Sequence, residues 1–325
     1  MKPTVSIVVV LWNSQKHLEK CLDSLRRQTY TDFEIIGVDN ASSDDSVACF
    51  SRSDFRQVLI KNQENLGFAQ AANQGIKAST AEFVLLLNPD VFPEPTFLQE
   101  LVKTLSLPRH CGAAGGKLLL FNQEENSRLL DSTGLFLTRS LKARDRGNLQ
   151  EDRGQYDQPE NIFAVCGAAV LFRREALEKA RIDGEYFDED FFAYYDDLDL
   201  CWRLQLLGFE CGYNPSAVAF HVRGGSGTNS KFFQKSPFMQ RMTLRNRYFM
   251  LIKNLSFSNL LFFSPFFFLT ELTLMFYSCA CAPHLFSVYG DVAGNFKRML
   301  KKRSFIQQSR TKNSRYIRSW IGTKS

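Results

Sequence analysis

The sequence predicts an α/β fold with a mainly parallel central sheet, followed by an apolar, aromatic-rich helical segment and a basic tail. Three observations carry this. Over residues 1–110, short continuous apolar runs alternate with helix-period stretches, the pattern of parallel strands covered on both faces. Residues 232–305 hold 14 of the 30 Phe. The charge is also split. The last 34 residues carry 10 Lys/Arg and no acid, which leaves 30 Lys/Arg against all 34 Asp/Glu in residues 1–291, a net of −4.

The first strand is expected at residues 5–11, the next ones at 34–38, 58–61 and 83–87. Between them, helices are expected at 15–27, 43–50 and 68–78. Leu18, Cys21, Leu22 and Leu25 fall on one buried helix face. The apolar run at 5–12 lacks a small-residue cleavage site and passes directly into a helix pattern, which argues against a signal peptide.

Beyond residue 111 the reading predicts short strands at 117–121 and 134–137. A polar mobile loop is expected at 139–160, a strand at 163–172, and helices at 174–181 and 197–207. Strands at 209–214 and 217–221 close the globular part. Residues 222–236 read as a Gly/Ser/Lys-rich loop. The expected domains are therefore 1–235, a helical membrane-associating region at 236–296, and a basic tail at 297–325. Residues 260–282 hold one formal charge, Glu271, and one proline, Pro265. The length suits an interfacial hairpin, a membrane span or a buried core helix. The basic cluster at 297–303 favours a segment held on the cytoplasmic leaflet.

At 325 residues and 44% hydrophobic, the chain has ample material for a core and is neither a disulfide miniprotein nor a disordered polymer. Eight scattered Cys (21, 49, 111, 166, 201, 211, 279 and 281) form no CxxC pair and no Cys/His metal spacing. They read as reduced, mostly buried thiols. GxGxxG and GxxxxGK[ST] are both absent, which argues against a dinucleotide oxidoreductase and a P-loop NTPase.

Ligands bind at the carboxyl ends of parallel strands, and each expected end is polar. Asn13 follows the first strand, Asp39 and Asn40 the second, Asn65 and Gly67 the third, and Asn88-Pro89-Asp90 the fourth. Asp39 can accept from the ring N–H of a pyrimidine or cap the next helix, a role Ser43 or Asp44 also suits. Asp90 can meet a hard divalent ion that also grips a diphosphate, or Asn-Pro-Asp can be a turn. Between 188 and 199 lie six acids amid aromatics. Asp196 and Asp197 can favour a helix dipole or act as a general base with one raised pKa. Asp199 and Arg203 are spaced to pair along a helix. His221 is a metal-ligand candidate or an ordinary loop histidine. Arg241, Arg245 and Arg247, before the apolar segment, suit a lipid diphosphate or headgroups, or a solvated face.

In order, residues 5–13, 38–46, 65–79, 86–91, 165–173, 187–203 and 221–226 resemble the family 2 glycosyltransferases, bacterial rhamnosyltransferase-like members in particular. The likeness covers about residues 4–250. It implies a GT-A fold, an inverting mechanism, a nucleotide-sugar donor, and Mn²⁺ or Mg²⁺. By that resemblance, Asp39 holds the base and Asn13 lies near the nucleoside. Asn88 and Asp90 stand at the family's DxD-type motif, with Asn88 departing from its double-acid form. Asp90 and His221 meet the metal. Asp197 is the catalytic base beside Asp196, which stands where Glu is more usual, and Gly167 lies on the acceptor side of the donor pocket. The implied acceptor is a glycan or polyprenyl-diphosphate-linked glycan in O-antigen or capsule assembly, reached at the cytoplasmic face of the membrane. A non-catalytic nucleotide-sugar or glycan-binding module of the same fold is the alternative. A nucleic-acid binder using the basic tail has no motif to support it.

Overall fold

A computed structural model of the chain describes residues 2–106, 110–121, 128–223 and 232–323. Four parallel strands build the N-terminal half: β1 (Val5–Leu11), β2 (Phe33–Asp39), β3 (Gln57–Lys61) and β4 (Phe83–Leu87). Helices α1 (Gln15–Arg26), α2 (Ser46–Ser51) and α3 (Phe68–Ala78) connect them. The short β5 (Val91–Pro93) and helix α4 (Phe97–Ser106) follow. The sheet continues with β6 (Cys111–Leu120), β7 (Leu130–Ser132), β10 (Glu160–Ile162), β11 (Ala169–Arg173) and β12 (Glu210–His221). A separate hairpin pairs β8 (Leu135–Leu137) with β9 (Ala143–Asp145). The order across the main sheet is β10-β12-β6-β11-β4-β1-β2-β3, with β5 on β12 and β7 on β6. β11 runs antiparallel to both neighbours, so β6 and β12 again point the same way as β1–β4.

The apolar strands are buried on both sides. Val8 packs with α3 and the later helices, whereas Ile7, Val9 and Leu11 pack with α1 and α4. The residues Leu18, Cys21, Leu22 and Leu25 of α1 are buried as expected. At about 1.5–3 kcal/mol for each fully buried large apolar side chain, these two layers anchor the strand ends that form the site.

Several expected boundaries shift. Strand 163–172 is shorter: the strand is Ala169–Arg173, and before it Ala164 forms an isolated antiparallel bridge with Leu135. The two expected strands at 209–221 are one, β12, with its register broken between Asn214 and Val218. Residues 139–160, expected to be a mobile loop, contain β9 and the buried Arg146, which pairs with Glu160. Of the eight free cysteines, Cys21, Cys111, Cys201 and Cys211 are buried, while Cys279 and Cys281 are exposed. Residues 224–231 of the expected Gly/Ser/Lys loop lie outside the described residues.

After α5 (Arg174–Ala180) and α6 (Asp196–Leu206), the C-terminal region is helical: α7 (Pro237–Asn254), α8 (Phe257–Ala280), α9 (Phe286–Ser309) and α10 (Ser314–Trp320). Helix α9 runs unbroken through residues 296 and 297, the expected boundary of the basic tail. Its Lys302 is buried against the α/β body rather than solvated.

Candidate active site

The polar rim forms where the parallel strands end. Asn13 takes a left-handed conformation (φ 50°), which Asn tolerates better than most residues. Its Oδ1 accepts from the Ser43 N–H at 2.8 Å and from the Ser43 hydroxyl at 3.1 Å. The Asn40 side chain, almost fully buried, donates to Asn65 Oδ1 at 2.9 Å and to the Gly67 carbonyl at 3.1 Å. It accepts from Asn62 and from the Leu66 N–H. Both amides thus tie rim loops to one another. Asp39 is buried and accepts from the Ser42 N–H at 3.2 Å. At the start of α2 it is Asp44, just before the cap residue Asp45, that takes the Ser46 N–H at 3.0 Å. Gly67 has φ 84°, and a Cβ there would lie 2.5 Å from the Phe192 ring. It allows the β3–α3 loop to touch the acidic segment.

A second group forms where β5 pairs with β12. His221 lies opposite Val91, next to Asp90. Its Nε2 is 3.5 Å from Asp90 Oδ1, and its Nδ1 is 2.8 Å from Asp131 Oδ2. A carboxylate only accepts, so Nδ1 carries the hydrogen. Asp131 is fully buried and also pairs with Arg223, which reaches Asp145 at 2.9 Å. Burial by itself lowers the His221 pKa. The hydrogen bonds to Asp131 and Asp90 outweigh it and raise the value to about 9.

These residues fit a divalent ion. An imidazole fixed by a carboxylate through Nδ1 presents Nε2 for ligation, and that atom faces a second donor, a carboxylate oxygen of Asp90. Among the described residues, no three His, Cys, Asp or Glu side chains converge as a complete cage. Mg²⁺-type ions are commonly held by one or two protein groups plus substrate phosphates. Asn88 leads into this group. Its N–H donates to the Ala168 carbonyl at 2.8 Å, next to Gly167.

Gly167 meets the third group. Its N–H donates to Asp197 Oδ2 at 2.8 Å, and a Cβ there would lie 2.8 Å from the Asp197 Cβ. Asp196 and Asp197 open α6, where carboxylates favour the dipole. Burial still dominates. It raises Asp197 to about 6 against the pull of the Gly167 and Leu198 N–H groups. Burial, then the neighbouring Asp197 charge, raises Asp196 to about 8. The charge of Asp145 also acts on Asp197, which links this pair to the Arg223–Asp131–His221 chain.

The six clustered acids are divided by their partners. Asp188 is held by the buried Lys253 of α7 and Lys302 of α9. Despite burial, these ammonium groups lower its pKa. Lys302 also meets Asp190 at 2.9 Å, and Arg298 meets Asp190 at 2.7 Å. Asp199 pairs with Arg203 at 3.1 Å, as the spacing predicts, and with Lys253 at 3.0 Å. Glu189 accepts from Asn73 at 3.0 Å. Asp196 and Asp197 have no cation in contact among the described ion pairs.

The turn before Asp196 is strained: Phe192, Tyr194 and Tyr195 all have positive φ, at 62°, 71° and 68°. Such residues cost of order 1–3 kcal/mol each. Asn246 of α7, fully buried, holds the turn by donating to the carbonyls of Phe191, Ala193 and Tyr194 at 2.7–2.9 Å. Arg245 donates to the Asp190 carbonyl at 2.8 Å. Of the three arginines considered for lipid, Arg247 is buried and Arg245 is half-buried, while Arg241 stays at the surface in an ion pair. Arg241 pairs with Asp291 at 2.8 Å, and Arg247 pairs with Glu271 at 2.7 Å.

Asp131, Asp145, Arg223, Asn246, Lys253 and Lys302 escaped the sequence reading. Arg223 falls within 221–226 and Lys302 within the basic cluster at 297–303, the others in no distinctive motif, and the partners given above are 52 to 114 residues away. The only available signal was their type: a polar residue inside an apolar run, as at Leu130-Asp131-Ser132.

Residues 6–181 match the family model described as Glycosyl transferase family 2, and residues 133–293 match Glycosyl transferase family group 2. The "Glycosyltransferase GlyG" of Streptococcus pneumoniae is 31% identical over 71% of this chain and 75% of its own length. The "Glycosyltransferase GlyA" of the same species is 27% identical over 68% of this chain. The match spans only 31% of that relative, and other curated relatives are likewise covered over about a third of their length. Among solved structures, the mannosyltransferase PcManGT of Pyrobaculum calidifontis, in complex with GDP-Man and Mn²⁺, superposes with a TM-score of 0.54 at 17% identity. That likeness covers 95% of this chain and 86% of the other. At that identity it speaks for the fold, which is the GT-A arrangement.

Proposed function

This chain belongs to glycosyl transferase family 2, and on that premise we propose that it is an inverting glycosyltransferase acting from a nucleotide-sugar donor. The donor we propose is dTDP-L-rhamnose. The acceptor is a glycan or polyprenyl-diphosphate-linked glycan of a surface polysaccharide, met at the cytoplasmic face of the membrane. The observation that carries the reading is Asp197. It is a carboxylate with a pKa raised toward neutrality, aimed by the Gly167 N–H, and the charge of Asp145, the partner of Arg223, acts on it.

Asp39 takes a ring N–H of the base, beside Asn13. Asn40 and Gly67 hold the rim that surrounds the nucleoside. Asp90 and His221 would hold Mn²⁺ or Mg²⁺, with Asn88 next to them. A bound divalent ion supplies charge neutralisation for the leaving diphosphate. Asp197 accepts the proton of the acceptor hydroxyl. The freed oxygen forms a bond to the anomeric carbon from the face opposite the diphosphate. The old C–O bond breaks, its electron pair leaves on the diphosphate, and the configuration inverts. Asp196, held largely protonated by burial and by the charge beside it, leaves a single ionised base at the centre. One base suffices, in contrast to the paired carboxylates of a glycosidase.

The test is donor binding and turnover across dTDP-rhamnose, UDP-galactose, UDP-GlcNAc and GDP-mannose, with Mn²⁺, Mg²⁺ or EDTA, and with a lipid-linked acceptor. Metal-dependent turnover of dTDP-rhamnose that disappears in Asp197→Asn is the expected result. Turnover of another donor would replace the sugar but keep the reaction. Binding without turnover, acceptor present, would make the chain a non-catalytic module.

A further inference from the structure

Helix α8 is long and apolar enough to cross a bilayer, yet only 11% of its most apolar window is buried, which sets it apart from a core helix. One stripe of the helix is docked on the protein. Asn259 donates to the Ser314 carbonyl at 2.9 Å, and Phe263, Leu274 and Ser278 are buried. Glu271 pairs with Arg247, whose guanidinium also donates to the carbonyls of Ser140 and Leu141 in the α/β body. The remaining faces are bare and apolar. Leu261, Phe262, Phe266, Phe268, Leu269 and Phe276 are all exposed, Leu269 to 66%.

The docked stripe runs from Asn259 to Ser278, about 28 Å at 1.5 Å per residue. This nearly equals the hydrocarbon thickness of about 30 Å. A crossing α8 would carry the Glu271–Arg247 pair and body carbonyls to mid-membrane, or would tear away from its whole seat. Lying flat requires neither. The rim of the bare face is basic. The Arg318 guanidinium sits 4.3 Å over the exposed Phe262 ring, and Arg139 sits 5.7 Å over Phe266. Arg310, Arg315 and Arg318 line an open cavity of about 540 Å³ with Ser258, Asn313 and Ser314. Residues 292–325, which include α10, contain no acid to offset them.

We propose that α8 lies in the plane of an anionic phospholipid leaflet. Its bare Phe/Leu face enters the acyl boundary, and Arg310, Arg315 and Arg318 take headgroup phosphates. The partner is the lipid surface itself, and the proposal stands apart from the transfer reaction.

The full chain is mixed with vesicles of phosphatidylcholine alone or with added phosphatidylglycerol, then sedimented. Binding to the anionic vesicles is expected. Phe262→Ser with Leu269→Ser should weaken partitioning roughly tenfold or more. Arg315→Glu with Arg318→Glu should weaken it about fivefold or more at low salt. These side chains are at the surface, and thermal unfolding checks that the variants remain folded. A fluorophore on Phe262→Cys, Leu269→Cys or Phe276→Cys, in a Cys279→Ser, Cys281→Ser background, then reports depth by lipid-borne quenchers. Equal, shallow depth at all three supports the proposal. A deep middle with shallow ends, showing a span, would overturn it. So would failure to bind either vesicle, including the case in which a second copy covers α8 in solution.

Discussion

The Gly167 N–H lies 2.8 Å from Asp197 Oδ2, and the space a Cβ would need at Gly167 is already filled by the Asp197 side chain. Strand approach and helix start are thereby locked together at one carboxylate. Gly167→Ala should push that carboxylate aside and lower kcat about tenfold or more. Asp197→Asn should lower it by 10²-fold or more, the usual range for losing a general base. Donor affinity, measured by calorimetry, should change little in either.

The Asp197 value of about 6 has a direct kinetic consequence. A protonated carboxylate cannot accept the acceptor's proton, so kcat should fall as pH drops through about 6 and level off above it. A rate that is flat between pH 5 and 7, on a donor whose chemistry is rate-limiting, would remove Asp197 from the base role.

Asp196 makes a stability prediction of definite sign. Its folded pKa, about 8, lies above its ordinary 3.8, so the folded state holds the proton more tightly than the unfolded chain does. That stabilisation is complete below 3.8 and declines as pH rises to about 8. Asp196→Asn should therefore raise Tm at pH 8, by about 2 °C or more, and have less benefit at pH 4. Thermal unfolding at the two pH values decides it.

The two Nδ2 hydrogens of Asn246 are shared among the carbonyls of Phe191, Ala193 and Tyr194 in the strained turn. Asn246→Ala removes this donor from the Ala193 and Tyr194 carbonyls, at about 1–3 kcal/mol each, while the Phe191 carbonyl keeps the Ala193 N–H. It should lower both Tm and kcat while leaving donor KM nearly unchanged. Asn246→Asp should be worse, because an ionised carboxylate has no hydrogen to donate. Equal behaviour of the two variants would show that the turn holds itself.

Asp131 orients His221 through Nδ1. Asp131→Asn should weaken Mn²⁺ binding about 10–100-fold, read by the spin-resonance signal of free Mn²⁺ in the presence of nucleoside diphosphate. Unchanged affinity would separate His221 from the metal.

Much of this was legible in order along the chain. The runs at 5–11 and 83–87 became β1 and β4 without change, and the helix at 68–78 became α3. Continuous apolar runs and 3.6-residue spacing are local properties, so they survive without tertiary context. The positions of Asn13, Asp39, Asn40, Gly67, Asn88 and Asp90 after the strands were legible because strand ends place them. What they do was less visible: Asn13 and Asn40 point their amides at neighbouring loops, an outcome that depends on how two loops meet.

By itself, the sequence determined the alternating α/β layers, the acids at strand ends and the apolar, basic C-terminal region, because burial and charge are written residue by residue. Only the tertiary structure decided which of six crowded acids stays unpaired. Lys253 and Lys302 arrive from helices far along the chain to neutralise Asp188, Asp190 and Asp199, and among the described residues Asp196 and Asp197 have no cation in contact. It decided in the same way that Arg247 is buried against Glu271 while Arg241 pairs with Asp291 at the surface. A charge's role depends on the sign and distance of its nearest partner, and those partners are brought together only by folding.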